Sequence, residues 1–251
     1  MIFVERGGRR YAQFERLSAE PGLIHGISTR PMDVSARTDA RSGERDERRR
    51  MMAADLGLSP ERLCYCVQVH ETGQAVIDAK TAARRIEGVD AILTDQLDTP
   101  VMTFSADCPL VLVYDPRRRV VGLVHSSWRC TVAFSTRRLV ETMRSRFGCD
   151  AEDLLAGVGP SAGPDRYEVQ EDVYAAAAGL PDRDVLFRRN GDGRMTFDLW
   201  ESNRRQLVQA GVRADNIEVA GVCTMTDTER FYSFRREGPG CGHFGLMAGL
   251  R

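Results

Sequence analysis

Short apolar runs follow one another closely between residues 64 and 125, at 64–69, 74–78, 91–94, 101–104, 110–114 and 120–125. Each has the length of a strand and is rich in Val, Ile, Leu and aromatic residues. Runs that are apolar at nearly every position must be covered on both faces. This stretch therefore predicts a buried β core with other elements packed outside it. Three of these runs end in a residue that can bind a metal or do chemistry: His70, the Asp107-Cys108 pair and His125.

The flanking sequence supplies the outer elements. Segments 2–4 and 11–14, either side of Gly7-Gly8, predict a hairpin. Residues 28–47 are polar and read as a long loop of the kind that is commonly functional. A helix rich in Arg and Met follows to about Leu56, and Ser59-Pro60-Glu61 opens a short one. The apolar stripe Val132, Leu139, Val140, Met143 and Phe147 predicts a helix over 132–147, ended by Gly148. A strand at 154–158 leads to a helix through Val169, Val173 and Tyr174. Asn190-Gly191 marks a second hairpin, and a helix through Leu199 and Leu207 ends at Gly211. Strands are expected at 217–220, 231–234 and 244–248. With no linker or repeat, residues 1–251 read as a single domain of α+β class.

Composition narrows the function. A formal net charge of −1 gives no overall field to recruit nucleic acid or an anionic membrane. The clusters Arg48-Arg49-Arg50 and Arg117-Arg118-Arg119 read as solvated faces. No run reaches the ~20 apolar residues of a membrane span, and the N-terminus does not resemble a signal peptide. Seven cysteines, an odd number, lying mostly in or beside apolar runs, read as free thiols in a reducing compartment. The expected location is the cytoplasm.

Two imidazoles and a thiolate suit zinc, and three protein ligands leave a fourth position open, as in catalytic sites. The same trio suits a metal-free pair in which Cys108 is the nucleophile and a histidine the base. A trigonal copper site is a third arrangement, which the reducing compartment disfavours. Asp107 is a charge that needs a partner if buried. Trp128-Arg129 adds a flat face and a forked anion donor just past His125. Gly240-Cys241-Gly242-His243-Phe244-Gly245 matches a dinucleotide-binding pattern, but too little chain follows for the required acidic residue. It reads as a tight turn.

Taken together, His25-Gly26-Ile27-Ser28-Thr29-Arg30, Gln68-Val69-His70, Ser105-Ala106-Asp107-Cys108-Pro109, His125-Ser126-Ser127-Trp128-Arg129 and Cys223-Thr224 with Tyr232-Ser233-Phe234-Arg235-Arg236 resemble the YfiH-like, or laccase-domain, proteins. Gly159-Pro160 followed by Tyr167-Glu168-Val169 fits as well. The resemblance implies a β-sandwich flanked by helices in α/β/β/α layers. It implies zinc on His70, Cys108 and His125, with phosphorolysis of purine nucleosides and deamination of adenosine as the activities. Related proteins are also linked to correcting peptidoglycan precursors. The multi-copper laccase label does not fit four histidines, because a blue copper plus a trinuclear cluster needs many imidazoles.

The sequence departs from the family pattern at Ser126, Ser127 and Cys130, where His-Ala-Gly-Trp-Arg-Gly is usual. Losing both glycines restricts the backbone and adds side chains beside the site. Further departures are Pro31-Met32-Asp33-Val34-Ser35 for Gly-Gly-Val-Ser and Gly242-His243 for Gly-Arg. The expected protein is a zinc-dependent enzyme acting on a small-molecule nucleoside and phosphate. Asp107 is the expected proton-transfer group, and Arg30, Arg129 and Arg235 are expected to hold phosphate or sugar. The alternatives are a cysteine hydrolase or amidase using Cys108 and His125 on a peptidoglycan precursor, and an inactive zinc-binding scaffold.

Overall fold

The computed structural model describes residues 1–82, 84–191 and 193–251. Two large sheets carry the fold. One runs from edge to edge through Ile2–Arg6, Arg9–Gln13, Leu23–Ser28, Phe244–Leu250, Val101–Ser105, Cys64–Val67 and Arg85–Glu87. The other runs through Ile217–Val219, Leu155–Val158, Leu110–Asp115, Val120–His125, Ala91–Thr94 and Gln74–Ile77.

Side-chain alternation along the strands sets the layers. In Leu110–Asp115, residues Leu110, Leu112 and Tyr114 join the core between the sheets, while Val111 and Val113 join a separate cluster with Leu139, Val140, Met143 and Leu207. Those last four lie on the helices Ser135–Phe147 and Leu199–Gln209, which cover the second sheet. Across the molecule, Phe244, Leu246, Ala248 and Leu250 point inward, whereas Met247 packs with Met52, Ala53 and Leu56. Met52 and Ala53 belong to the helix Ser42–Asp55, with Leu56 at its end; it covers the first sheet. The layers are therefore α/β/β/α, as expected. A smaller cluster, including Tyr167, Phe187 and Phe197, sits around a three-stranded sheet of Glu168–Val169, Met195–Phe197 and Phe187–Arg189.

Several expectations need correction. The helix expected over 132–147 is two helices, Trp128–Val132 and Ser135–Phe147, separated by Phe134 at φ 61°. Val169 lies in a short strand, and the helix starts later, at Glu171–Ala176. Segment 231–234 is not a strand. Phe231 is buried, which makes the segment apolar, but Ser233 N donates to the Glu237 carboxylate at 2.8 Å and the chain turns into the helix Phe234–Glu237. The loop after Ser28 ends at Ser42, where the helix begins. Arg49, read as part of a solvated face, is buried. The pattern Gly240–Gly245 leads into a strand rather than a helix, consistent with the turn reading. No disulfide joins any of the cysteines among the described residues.

Candidate metal centre and its cavity

His125 is the last residue of its strand and is 2 % exposed. Its Nδ1 lies 2.7 Å from Asp90 Oδ1. Asp90 is wholly buried and also accepts the backbone N–H groups of Val69, His70 and Glu71 at 3.0, 3.1 and 3.0 Å. Burial opposes its charge, yet the His125 bond and these N–H groups hold its carboxyl below the usual carboxylate range. An ionised Asp90 makes Nδ1 the protonated nitrogen of a neutral His125 and leaves Nε2 as the ligand atom.

The same carboxylate shapes the His70 loop. His70 takes φ 63°, and its ring meets His125 edge-on at 4.9 Å. Burial and the neighbouring His125 lower its pKa, favouring the neutral, ligating form. Gln68 fixes the strand below by exchanging two 2.8 Å hydrogen bonds with the Phe104 backbone. Gly73 lets this loop approach Gly88, since a Cβ there would stand 2.5 Å from the Gly88 carbonyl oxygen.

Cys108 arrives from the adjacent turn. Asp107 adopts φ 102°, and Ser105 Oγ donates to the Cys108 carbonyl at 2.6 Å. The Asp107 carboxylate accepts Thr224 Oγ1 at 2.6 Å and Arg235 N at 2.7 Å, tying the turn to the C-terminal segment. Burial first, and the Asp107 charge second, push the Cys108 thiol up. A thiol in such surroundings is a poor free nucleophile, whereas a bound cation would favour its thiolate. The ligand atoms of His70, Cys108 and His125 all lie within 4.8 Å of one another.

A second cluster, Asp90, His125 and Cys130, is equally compact. Its groups already bond to each other and to the backbone. The departures from the family pattern are absorbed there: Ser126 Oγ donates to Asn203 Oδ1 at 2.7 Å, Ser127 Oγ caps the helix by accepting Cys130 N, and Cys130 Sγ donates to the Glu71 carbonyl at 3.2 Å. Burial pushes the Cys130 thiol up to about 11. Of these three residues only Ser127 borders the cavity.

The trio opens into a cavity of about 540 Å³. Trp128, Tyr167 and Phe234 give it flat apolar faces, and Asp107, Arg129 and Arg235 give it charge. Arg129 stacks on Trp128 at 4.3 Å; Arg235 lies over Tyr167 and donates to the Glu168 carbonyl at 2.8 Å. Arg30 does not line this cavity. Its guanidinium pairs with Glu237, donates to the Phe231 carbonyl at 3.0 Å and covers the Tyr232 ring. Sequence reasoning missed Asp90, whose only signal was an acid at the head of an apolar strand. It also missed the cavity wall formed by Ser35, Arg37 and His243.

Comparison with known proteins adds a family and named relatives. Residues 24–251 match the family model described as multi-copper polyphenol oxidoreductase laccase. A purine nucleoside phosphorylase of Bacteroides thetaiotaomicron is 32% identical over 261 residues, covering 96% of each chain. Adenosine deaminase RL5, from an unknown prokaryotic organism, is 32% identical over 200 residues and 76% of each chain. The crystal structure of YlmD from Geobacillus stearothermophilus superposes with a TM-score of 0.86 at 26% identity, covering 96% of this chain and 98% of that one. Among the described residues, no helix is long and apolar enough to cross a membrane.

Proposed function

Because this chain belongs to the multi-copper polyphenol oxidoreductase laccase family, whose relatives include a named purine nucleoside phosphorylase and a named adenosine deaminase, we propose that it is a zinc-dependent purine nucleoside phosphorylase that also deaminates adenosine. The observation that carries this reading is the convergence of His70, Cys108 and His125 on one end of an aromatic-lined cavity. Two imidazoles and one thiol, with His125 oriented through Nδ1 by Asp90, suit a single zinc ion. They do not suit a set of coppers. His25 is packed in the core against Phe14, so too few imidazoles remain. When bound, zinc supplies Lewis acidity at an open coordination position.

The chain's own groups do the rest. Trp128, Tyr167 and Phe234 offer faces on which a purine stacks. Arg129 and Arg235 offer forked donors to ribose or phosphate oxygens, and neither has a carboxylate partner among the described residues. Asp107 borders the cavity and exchanges a proton with the purine or the attacking water, held in place by Thr224 and the Arg235 backbone.

The metal-free hydrolase reading needs an activated thiol at Cys108, and its burial beside Asp107 works against one. Metal analysis of purified protein, with product analysis on adenosine, inosine and methylthioadenosine, tests the proposal. Near-stoichiometric zinc, free base formed only with phosphate, and ammonia from adenosine are expected. Protein that binds zinc yet releases neither base nor ammonia would overturn the reading.

A further inference from the structure

Part of the cavity wall is made where the 29–41 segment lies against residues 241–243. Val34 N donates to the His243 carbonyl at 3.0 Å, and His243 N donates to Asp33 Oδ1 at 3.0 Å. Two buried arginines of the helix Ser42–Asp55 hold this segment. Arg45 pairs with Asp33 and Asp39, and Arg49 pairs with Asp46 and donates to the carbonyls of Val34 and Ser35. The acids of this region are thus matched by Arg45 and Arg49. Arg37 is left over. It donates to the Cys241 carbonyl at 2.9 Å, lies against the Cys241 thiol, and meets no carboxylate among the described residues.

Two more polar groups at this wall lack hydrogen-bond partners among the described residues. Ser35 is 2 % exposed and its Oγ is buried without a hydrogen bond. His243 borders the cavity and its Nδ1 is likewise buried and unbonded. Buried polar atoms are normally satisfied, so two orphans beside an unmatched guanidinium point to a missing acceptor. A tetrahedral oxyanion has the several lone pairs that a hydroxyl, an imidazole N–H and a guanidinium require.

We propose that Arg37, Ser35 and His243 form a subsite for a phosphate-class oxyanion in this cavity. Identifying that oxyanion with the phosphate of the reaction rests on the phosphorylase reading, while the subsite itself does not. The oxyanion comes either as free inorganic phosphate or as the 5′-phosphate of a nucleotide.

The test uses full-length, zinc-loaded protein titrated separately with inorganic phosphate and with adenosine 5′-monophosphate, followed by calorimetry and ³¹P NMR. Arg37→Gln is expected to weaken binding of at least one by tenfold or more. Arg37→Lys, which keeps the charge and can reach the Cys241 carbonyl, should recover part of it. Arg213→Gln, a loss of exposed charge elsewhere, serves as the control and should bind as wild type. Sensitivity to inorganic phosphate makes the site one for free phosphate, and sensitivity to the nucleotide alone makes it one for a substrate-borne phosphate. Wild-type protein that binds neither, or folded Arg37→Gln protein that binds both as wild type does, overturns the proposal. Failure of phosphorolysis with intact, Arg37-dependent binding would refute the proposed enzyme activity and leave the subsite standing.

Discussion

Asp90 and Asp107 are two buried carboxylates beside the same trio, and they organise it differently. Asp90 takes the imidazole of His125 and three consecutive backbone N–H groups of the His70 loop. It therefore sets where two of the three ligand atoms point. Asp107 is bonded to Thr224 and to the first turn of the Phe234–Glu237 helix, and it borders the cavity. It therefore sets the cavity wall and presents a carboxylate to whatever binds there. Under the proposed function, Asp90 would serve the metal and Asp107 the substrate.

The sharpest way to break that distinction is Asp107→Asn. An asparagine has nearly the same shape, and the Thr224 hydroxyl can rotate to accept from it, so the turn should survive. Turnover should fall about 10²–10⁴-fold, the range of a lost general acid–base group, while zinc affinity stays unchanged. Steady-state kinetics together with a chelator competition measure both quantities. Equal losses in both would mean that Asp107 acts through Cys108 and not on substrate.

Asp90→Asn should show the opposite pattern. An amide NH₂ would face N–H donors already aimed at this carboxylate, leaving buried groups unsatisfied. Metal affinity should fall about 10–100-fold, as for other groups that orient a ligating histidine, and stability by roughly 3–5 kcal/mol. Zinc competition and urea unfolding report the two effects. Wild-type zinc affinity in the variant would show that His125 does not depend on Asp90.

The contrast between these aspartates also shows what the sequence can carry. Asp107 was legible because it adjoins Cys108 within one motif. Asp90 was not, because its partners lie on the separate 69–71 loop and at His125, and all three loop partners are backbone groups without sequence signature. The buried β core was readable from apolar runs, because runs apolar at nearly every position must be covered on both faces; its α/β/β/α layering was implied by the family resemblance. The break at Phe134 and the coiled path of 231–234 were not, because tertiary burial of aromatic residues mimics helix and strand patterns. Arg49 was misread for a related reason: its carbonyl acceptors, Val34 and Ser35, lie on the preceding loop.

His125 is hydrogen-bonded to Asp90, whereas no carboxylate is hydrogen-bonded to His25 among the described residues. Phe14 N donates to His25 Nε2 at 3.0 Å, so the proton sits on Nδ1, which has no hydrogen-bond partner among the described residues. Burial holds the His25 pKa down to about 4, against 6.5 in the unfolded chain. As pH falls below about 6.5 the unfolded chain takes up a proton that the folded one refuses. Stability then drops by about 1.4 kcal/mol per pH unit. The loss levels off near pH 4, at roughly 3 kcal/mol in total. Denaturant unfolding between pH 7 and pH 4 should show this slope in the wild type and a shallower one in His25→Gln. Parallel curves would mean that His25 is hydrated.

The smallest effect belongs to Arg30, which touches the substrate side only through the helix that Asp107 anchors. Its partner Glu237 lies on the same short helix as Arg235, whose backbone N–H Asp107 accepts. The pair is partly exposed, so Arg30→Gln should cost no more than about 1 kcal/mol, or roughly 2–4 °C in Tm. Nucleoside KM and kcat should stay within about twofold of wild type, an interaction change below 0.5 kcal/mol. Arg129→Gln, which removes a guanidinium from the cavity itself, should raise KM by about tenfold, the value of one charged hydrogen bond. Side-by-side kinetics on adenosine decide the matter. If Arg30→Gln moved KM as far as Arg129→Gln, the helix between Asp107 and Glu237 would be transmitting the change, and the substrate side of the site would extend past the cavity wall to the Arg30–Glu237 pair.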